Sequence, residues 1–232
     1  MMESVSDFVV HRVDDVPGDD GSVRVWFMDL DQQETGTAQL SWLSTSERVR
    51  AARLQSPLER QRYIASCVST RRLLSDLTGI PPENLEILRD NCGKPGLSLP
   101  AAAAHHRPSD ISLRFNISHS ENALCIATAL GRHVGGDIEV VNPNLDFSAI
   151  GDSCLQLEDI DLVRRSSLDE RSLVFCRLWT RREAFAKMLG HGVNSDHLHC
   201  APSLPWSLRP IEFTLGEKQI VGSLAIAAST QR

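Results

Sequence analysis

Apolar and polar positions alternate over residues 23–27, 115–118 and 134–140, the period-two pattern of strands that bury one face. A continuous apolar run over 124–130 predicts a buried strand between the latter two. A short strand is expected over 85–88, and two last ones over 210–215 and 220–228. Helix signals interleave with these. Ser44-Thr45-Ser46-Glu47 has capping-box spacing and opens a short basic helix. Ser56-Pro57-Leu58-Glu59 is a second box with proline at the first helical position; its helix should run to about Leu77 and stop at Gly79, with Pro81-Pro82 beyond. Ser167 and Glu170 have the same spacing and should start a helix ending at Leu189, before Gly190 and Gly192. Val174, Leu178, Phe185 and Leu189 form its expected apolar stripe.

The order strand, helices, strands thus occurs twice, changing over near residues 131–134. The expectation is an α+β fold of two similar α/β subdomains in a pseudo-twofold arrangement. Each is a small, mostly antiparallel sheet packed with a long helix. Residues 1–22 are expected to form a flexible lead, 23–132 the N-terminal subdomain and 133–232 the C-terminal one. The small, polar stretch 101–108 reads as a loop.

Composition narrows the class. At 232 residues, 41% hydrophobic and 23% charged, the chain is that of an ordinary globular protein. No apolar run reaches the length of a bilayer span, and the acidic N-terminus does not read as a secretory signal. Six cysteines stand singly, without a Cys-x-x-Cys pair, which argues for reduced thiols and a cytoplasmic location. A net charge of −6 disfavours broad nucleic-acid binding. Against that background Arg48, Arg50, Arg53, Arg60, Arg62, Arg71 and Arg72 form a dense local basic cluster.

Asp137 and Glu139, two apart on a strand, project from one face, with Val134, Gly136, Ile138 and Val140 on the other. Two such carboxylates suit a hard cation such as Mg²⁺; a solvent-facing acidic strand is the plainer alternative. Glu183 and Lys187 are helical neighbours four apart, by themselves an ordinary ion-pair spacing. Ser118-His119-Ser120 follows a strand directly. Adjacent strand residues face opposite ways, so Ser118 and His119 make a poor nucleophile and base, and phosphate binding is the better functional reading. Gly93-Lys94-Pro95 lacks the rest of a P-loop. His197, His199 and Cys200 lack partners at zinc-site spacing.

Taken in order, Gly93-Lys94-Pro95, Phe115-Asn116-Ile117-Ser118-His119-Ser120, Gly135-Gly136-Asp137-Ile138-Glu139 and Trp179-Thr180-Arg181-Arg182-Glu183-Ala184-Phe185-Ala186-Lys187 resemble the 4′-phosphopantetheinyl transferase superfamily. The length is similar to its long, surfactin-synthetase-activating class. The resemblance implies an enzyme that moves the phosphopantetheine arm of coenzyme A onto a serine of an apo acyl, polyketide or peptidyl carrier protein, releasing 3′,5′-ADP. It implies Mg²⁺, with Mn²⁺ as an alternative, held by Asp137, Glu139 and Glu183. Glu183, Lys187 and Asp137 would be catalytic, with Glu183 or a metal-bound water as base. Arg50, Arg62, Lys94, Ser118, His119, Asp137 and Lys187 would bind coenzyme A: Arg62 and His119 at the 3′-phosphate, Lys94 by the adenosine. Two departures stand out. The family's lysine before the glutamate is Arg182, and one basic position of the first helix is Glu47. A monomer without membrane or nucleic-acid partners is expected. The competing readings are a Mg²⁺-dependent nucleotide phosphohydrolase and a non-catalytic coenzyme A or carrier-binding module.

Overall fold

The structure is a computed structural model and describes residues 22–98, 113–145, 155–190 and 205–228. In chain order its elements are β1 (Val23–Asp29), α1 (Thr37–Leu40), α2 (Thr45–Arg53), α3 (Pro57–Thr78), β2 (Glu86–Arg89), β3 (Pro95–Ser98), β4 (Leu113–Ser120), β5 (Ala123–Leu130), β6 (Val134–Val140), α4 (Leu157–Arg165), α5 (Arg171–Leu189), β7 (Trp206–Leu215) and β8 (Lys218–Ala227). The expected loop 101–108, residues 1–21 of the expected lead and His197, His199 and Cys200 lie outside the described residues.

Two three-stranded antiparallel sheets carry the fold, in the orders β1-β5-β4 and β6-β8-β7. Each places its last strand between the other two, and each sends a long helix, α3 or α5, between its first and second strands. The doubling expected from the element order is therefore real at the level of topology. A separate ribbon, β2-β3, follows α3.

Burial explains the layering. Val23, Val25, Phe27, Cys125 and Ala127 on one face of the first sheet pack with Ile138, Ile220, Leu224 and Ile226 of the second. Trp26, Met28, Leu124 and Ile126, on the other face, pack with Ala65 and Leu73 of α3. On the outer face of the second sheet, Ala225 and Ala227 meet Ala184 and Met188 of α5. The order is helix, sheet, sheet, helix, and each element hides its apolar face in a neighbouring layer. Lying between two layers is why β5 is apolar throughout instead of alternating.

Helix starts and stops follow the sequence at α2 and α3. Ser44 and Ser56 accept from the amides of Glu47 and Glu59, and the Glu47 carboxylate returns a bond to the Ser44 amide. Gly79 and Gly190 close α3 and α5 in the left-handed conformation, at φ 76° and 78°. One expectation needs correcting. Ser167 and Glu170 bond to each other side chain to side chain, and α5 begins only at Arg171, with Glu170 as its N-cap. The stripe Val174, Leu178, Phe185, Leu189 does pack on the sheet: Leu178 and Val174 share a cluster with Val221, and Phe185 and Leu189 lie against that of Ala225 and Ala227. Ala184 and Met188 complete the contact where the helix comes closest to β6.

Candidate active site

The site forms where the outer face of β6 meets α5. Positions 135, 137 and 139 of β6 share that face. A Cβ on Gly135 would lie 2.1 Å from the Ala184 carbonyl oxygen and 2.2 Å from the Met188 nitrogen, so the α5 backbone rests directly on the strand. One turn along, this contact brings Lys187 onto Asp137. The ammonium donates to Asp137 Oδ1 at 2.6 Å and to Ser118 Oγ at 3.3 Å. The Asp137 side chain is 5% exposed and that of Lys187 27%. The other oxygen, Asp137 Oδ2, is buried with no hydrogen-bond partner among the described residues.

Electrostatics joins the third carboxylate to these two. Burial pushes Glu183 up to about 7; Lys187 pulls it back, while Asp137 and Glu139 push it further. Burial also raises Glu139, against a hydrogen bond from Ser120, with the Asp137 charge adding to the rise. Asp137 is raised by burial, opposed by Lys187, Ser118 and the Ile138 amide. Asp137, Glu139 and Glu183 thus share one poorly solvated region in which each disfavours ionisation of the next. Among the described residues, no three His, Cys, Asp or Glu side chains stand together as a finished metal cluster. The donor set is nonetheless all carboxylate oxygen, the choice of a hard divalent cation, and the unpartnered Asp137 Oδ2 offers such an ion an unused lone pair.

Strand β4 supplies the other wall. Ser118 donates to Asp137 Oδ1 at 2.7 Å, and Ser120 donates to Glu139 Oε2 at 2.7 Å. His119, on the opposite face of β4, is exposed at its edge. Partial desolvation, then the Lys187 and Arg50 charges, hold its imidazole below the ordinary value. Arg50 lies with its guanidinium carbon 5.3 Å from the centre of the Tyr63 ring. Lys187 and Arg50 thus bring positive charge to the surroundings of His119, whose imidazole they keep neutral.

Two residues expected at the site are engaged elsewhere. Arg62 makes a bidentate pair with Asp31, at 2.7 and 2.6 Å. Lys94 sends its ammonium to the main-chain carbonyls of Lys187, Met188 (3.1 Å) and Val134 (3.3 Å), capping the C-terminus of α5. Burial brings this lysine down to about 8. Glu47, which stands where a base was expected, pairs with Arg71 at 2.9 Å; Arg71 is buried and also donates to the carbonyls of Pro82 and Leu85. That acidic departure is structural, and it ties α2 to α3. The reading of individual residues passed over Asn116 and Ser120, although their spacing from Ser118 on one strand face was the available signal.

Comparisons with known proteins cover both halves of the chain. Residues 133–226 match the model of the 4′-phosphopantetheinyl transferase superfamily, and 31–131 match that of the 4′-phosphopantetheinyl transferase N-terminal region. The chain is 30% identical over 172 residues to 4′-phosphopantetheinyl transferase HetI of Nostoc sp., spanning 74% of this chain and 70% of that protein. It is 28% identical to 4′-phosphopantetheinyl transferase AcpT of Escherichia coli, spanning 65% and 70%. To 4′-phosphopantetheinyl transferase psf-1 of Bacillus pumilus it is 24% identical, spanning 66% and 60%. With both halves matched, the chain belongs to the 4′-phosphopantetheinyl transferase superfamily and is an enzyme of it.

Proposed function

We propose that this transferase moves the 4′-phosphopantetheine of coenzyme A onto a serine hydroxyl of an apo carrier protein, with Mg²⁺ held by Asp137, Glu139 and Glu183. The observation that carries the metal assignment is the buried, unpartnered Asp137 Oδ2 beside two further carboxylates whose pKa values it helps to raise. Bound there, the cation would neutralise charge on the pyrophosphate oxygens. The carrier serine oxygen attacks the β-phosphorus of coenzyme A, and the bond from that phosphorus to the bridging oxygen breaks. 3′,5′-ADP leaves with the bridging oxygen. Glu183 accepts the serine proton, directly or through a water. Lys187 turns from Asp137 to the phosphates as they enter. Arg50 and His119 take the phosphate side of coenzyme A, with Arg62 reaching the 3′-phosphate by sharing its guanidinium with Asp31. Ser118 and Lys94 serve that site through Asp137 and through the end of α5.

The subdomains are assigned to residues 23–132 and 133–232, and the enzyme is read as a cytoplasmic monomer; among the described residues no helix is long and apolar enough to cross a membrane. Incubation with coenzyme A, Mg²⁺ and a panel of apo carrier proteins, followed by weighing the carriers, tests the reading. One phosphopantetheine gained per carrier is expected, with none formed when Mg²⁺ is chelated. Nucleotide hydrolysis without carrier modification would instead mark a phosphohydrolase, and binding without turnover a docking module.

A further inference from the structure

β6 is an edge strand: β8 takes one side of it, and the amides of Gly136, Ile138 and Val140 point outward from the other. An open edge of this kind is ordinarily closed by another strand or left to water. Here it is closed by side chains. Asn116 Oδ1 accepts from Gly136 at 2.8 Å, Ser118 Oγ from Ile138 at 3.3 Å and Ser120 Oγ from Val140 at 3.1 Å. Three side chains at every second position of β4 thus meet three amides at every second position of β6, in matching order.

The serines do more than accept. A hydroxyl has one proton and two lone pairs. Once a lone pair of Ser120 is taken by the Val140 amide, its proton is directed to Glu139 Oε2 at 2.7 Å; Ser118 repeats the pattern between Ile138 and Asp137 Oδ1. Each contact is charge-assisted and poorly solvated, where such bonds are strongest.

We propose that Asn116, Ser118 and Ser120 form a register clamp in which Ser120 is the positioning residue for Glu139, orienting its carboxylate toward the cation while fixing β6 against β4. The metal part of this rests on the function proposed above; the clamp itself does not. Register and carboxylate direction are set by the same hydroxyls, so a slip of β4 against β6 also disorients the carboxylates. The chemistry demands a group that donates and accepts at one atom. Threonine meets that demand and suits a strand; alanine does not.

The test uses Ser120→Ala and Ser120→Thr in the full chain, with two readouts. Amide hydrogen exchange at Val140, without metal or substrate, is expected to accelerate in Ser120→Ala and return toward the wild-type rate in Ser120→Thr. Mn²⁺ binding by calorimetry, without coenzyme A or carrier, is expected to weaken about 10–100-fold in Ser120→Ala, as for other groups that orient metal ligands, and to recover in Ser120→Thr. Unchanged Val140 exchange in Ser120→Ala overturns the clamp. Accelerated exchange with wild-type Mn²⁺ affinity, or failure of Ser120→Thr to restore affinity, overturns the positioning of Glu139. If the wild type binds no Mn²⁺, the metal assignment falls and the positioning role with it, while the exchange rates still decide the clamp.

Discussion

The ammonium of Lys94 donates to the main-chain carbonyl of Lys187, while the ammonium of Lys187 reaches Asp137 at 2.6 Å. One lysine, from the turn before β3, holds the end of the helix that carries the other. The N-terminal half of the chain thereby caps α5 at the point where its last turn enters the site. A cation there satisfies carbonyls that the helix itself leaves without donors.

Lys94→Met should therefore cost stability, by about 1–3 kcal/mol for the carbonyls left unpaired, and lower transfer by loosening Lys187. Its pH signature is specific. The folded-state pKa is about 8 against 10.5 for the free side chain. Between those values the unfolded chain holds a proton that the folded protein has released, so wild-type stability should rise with pH across that window relative to Lys94→Met. Urea titrations of both proteins at several pH values check the slope.

Glu183→Gln should reduce kcat by about 10²–10⁴-fold, the usual range for a lost general base. Without metal it should melt higher than wild type near neutral pH. Glu183 is raised from 4.5 to about 7, so the folded protein binds the extra proton between those values, and stability falls as pH climbs through them. The glutamine variant should lack that fall. Metal-free melting curves of both proteins at several pH values will test this.

Gly135→Ala places a methyl group against backbone atoms of α5 at 2.1 and 2.2 Å, and backbone cannot rotate out of the way. Overpacking of this kind costs about 1–3 kcal/mol. The helix must lift from β6, taking Glu183 and Lys187 with it. Stability and transfer should both fall, with Mn²⁺ affinity, in contrast to Glu183→Gln, where stability rises. Metal-free melting measurements on the two variants separate them.

Arg164 and Arg165 end α4 exposed, and Leu157, Leu162 and Leu168 are exposed on the same helix and the turn after it. Arg181 is exposed on α5, whereas Arg177 is engaged with Glu212 at 2.7 Å. An acidic carrier approaching a chain of net charge −6 needs a local basic surface, and this is the candidate. Reversing Arg164 and Arg165 to Glu should raise the carrier KM and leave that for coenzyme A nearly unchanged. The wild-type carrier KM should climb with salt. A carrier KM indifferent to both would assign docking to the leucines.

Much of this protein was legible in the chain because it is local. Capping boxes at Ser44 and Ser56, and glycines at 79 and 190, act within a few residues and mark helix ends wherever the chain goes. The alternation over 134–140 puts Asp137 and Glu139 on one face by strand geometry alone. The Ser167–Glu170 box shows the limit, since the same pair bonded side chain to side chain leaves the helix to start four residues later. What the chain could not state is which faces meet. That Gly135 admits α5 onto β6, that Lys94 belongs to the end of that helix, and that Arg71 answers Glu47 are contacts between segments distant in sequence. They are decided by packing layers together, and spacing along one strand or helix carries no record of its neighbour. Ser118 and Ser120 combine both cases: their period is written in the sequence, but only the approach of β4 to the open edge of β6 turns two strand hydroxyls into supports for the carboxylates.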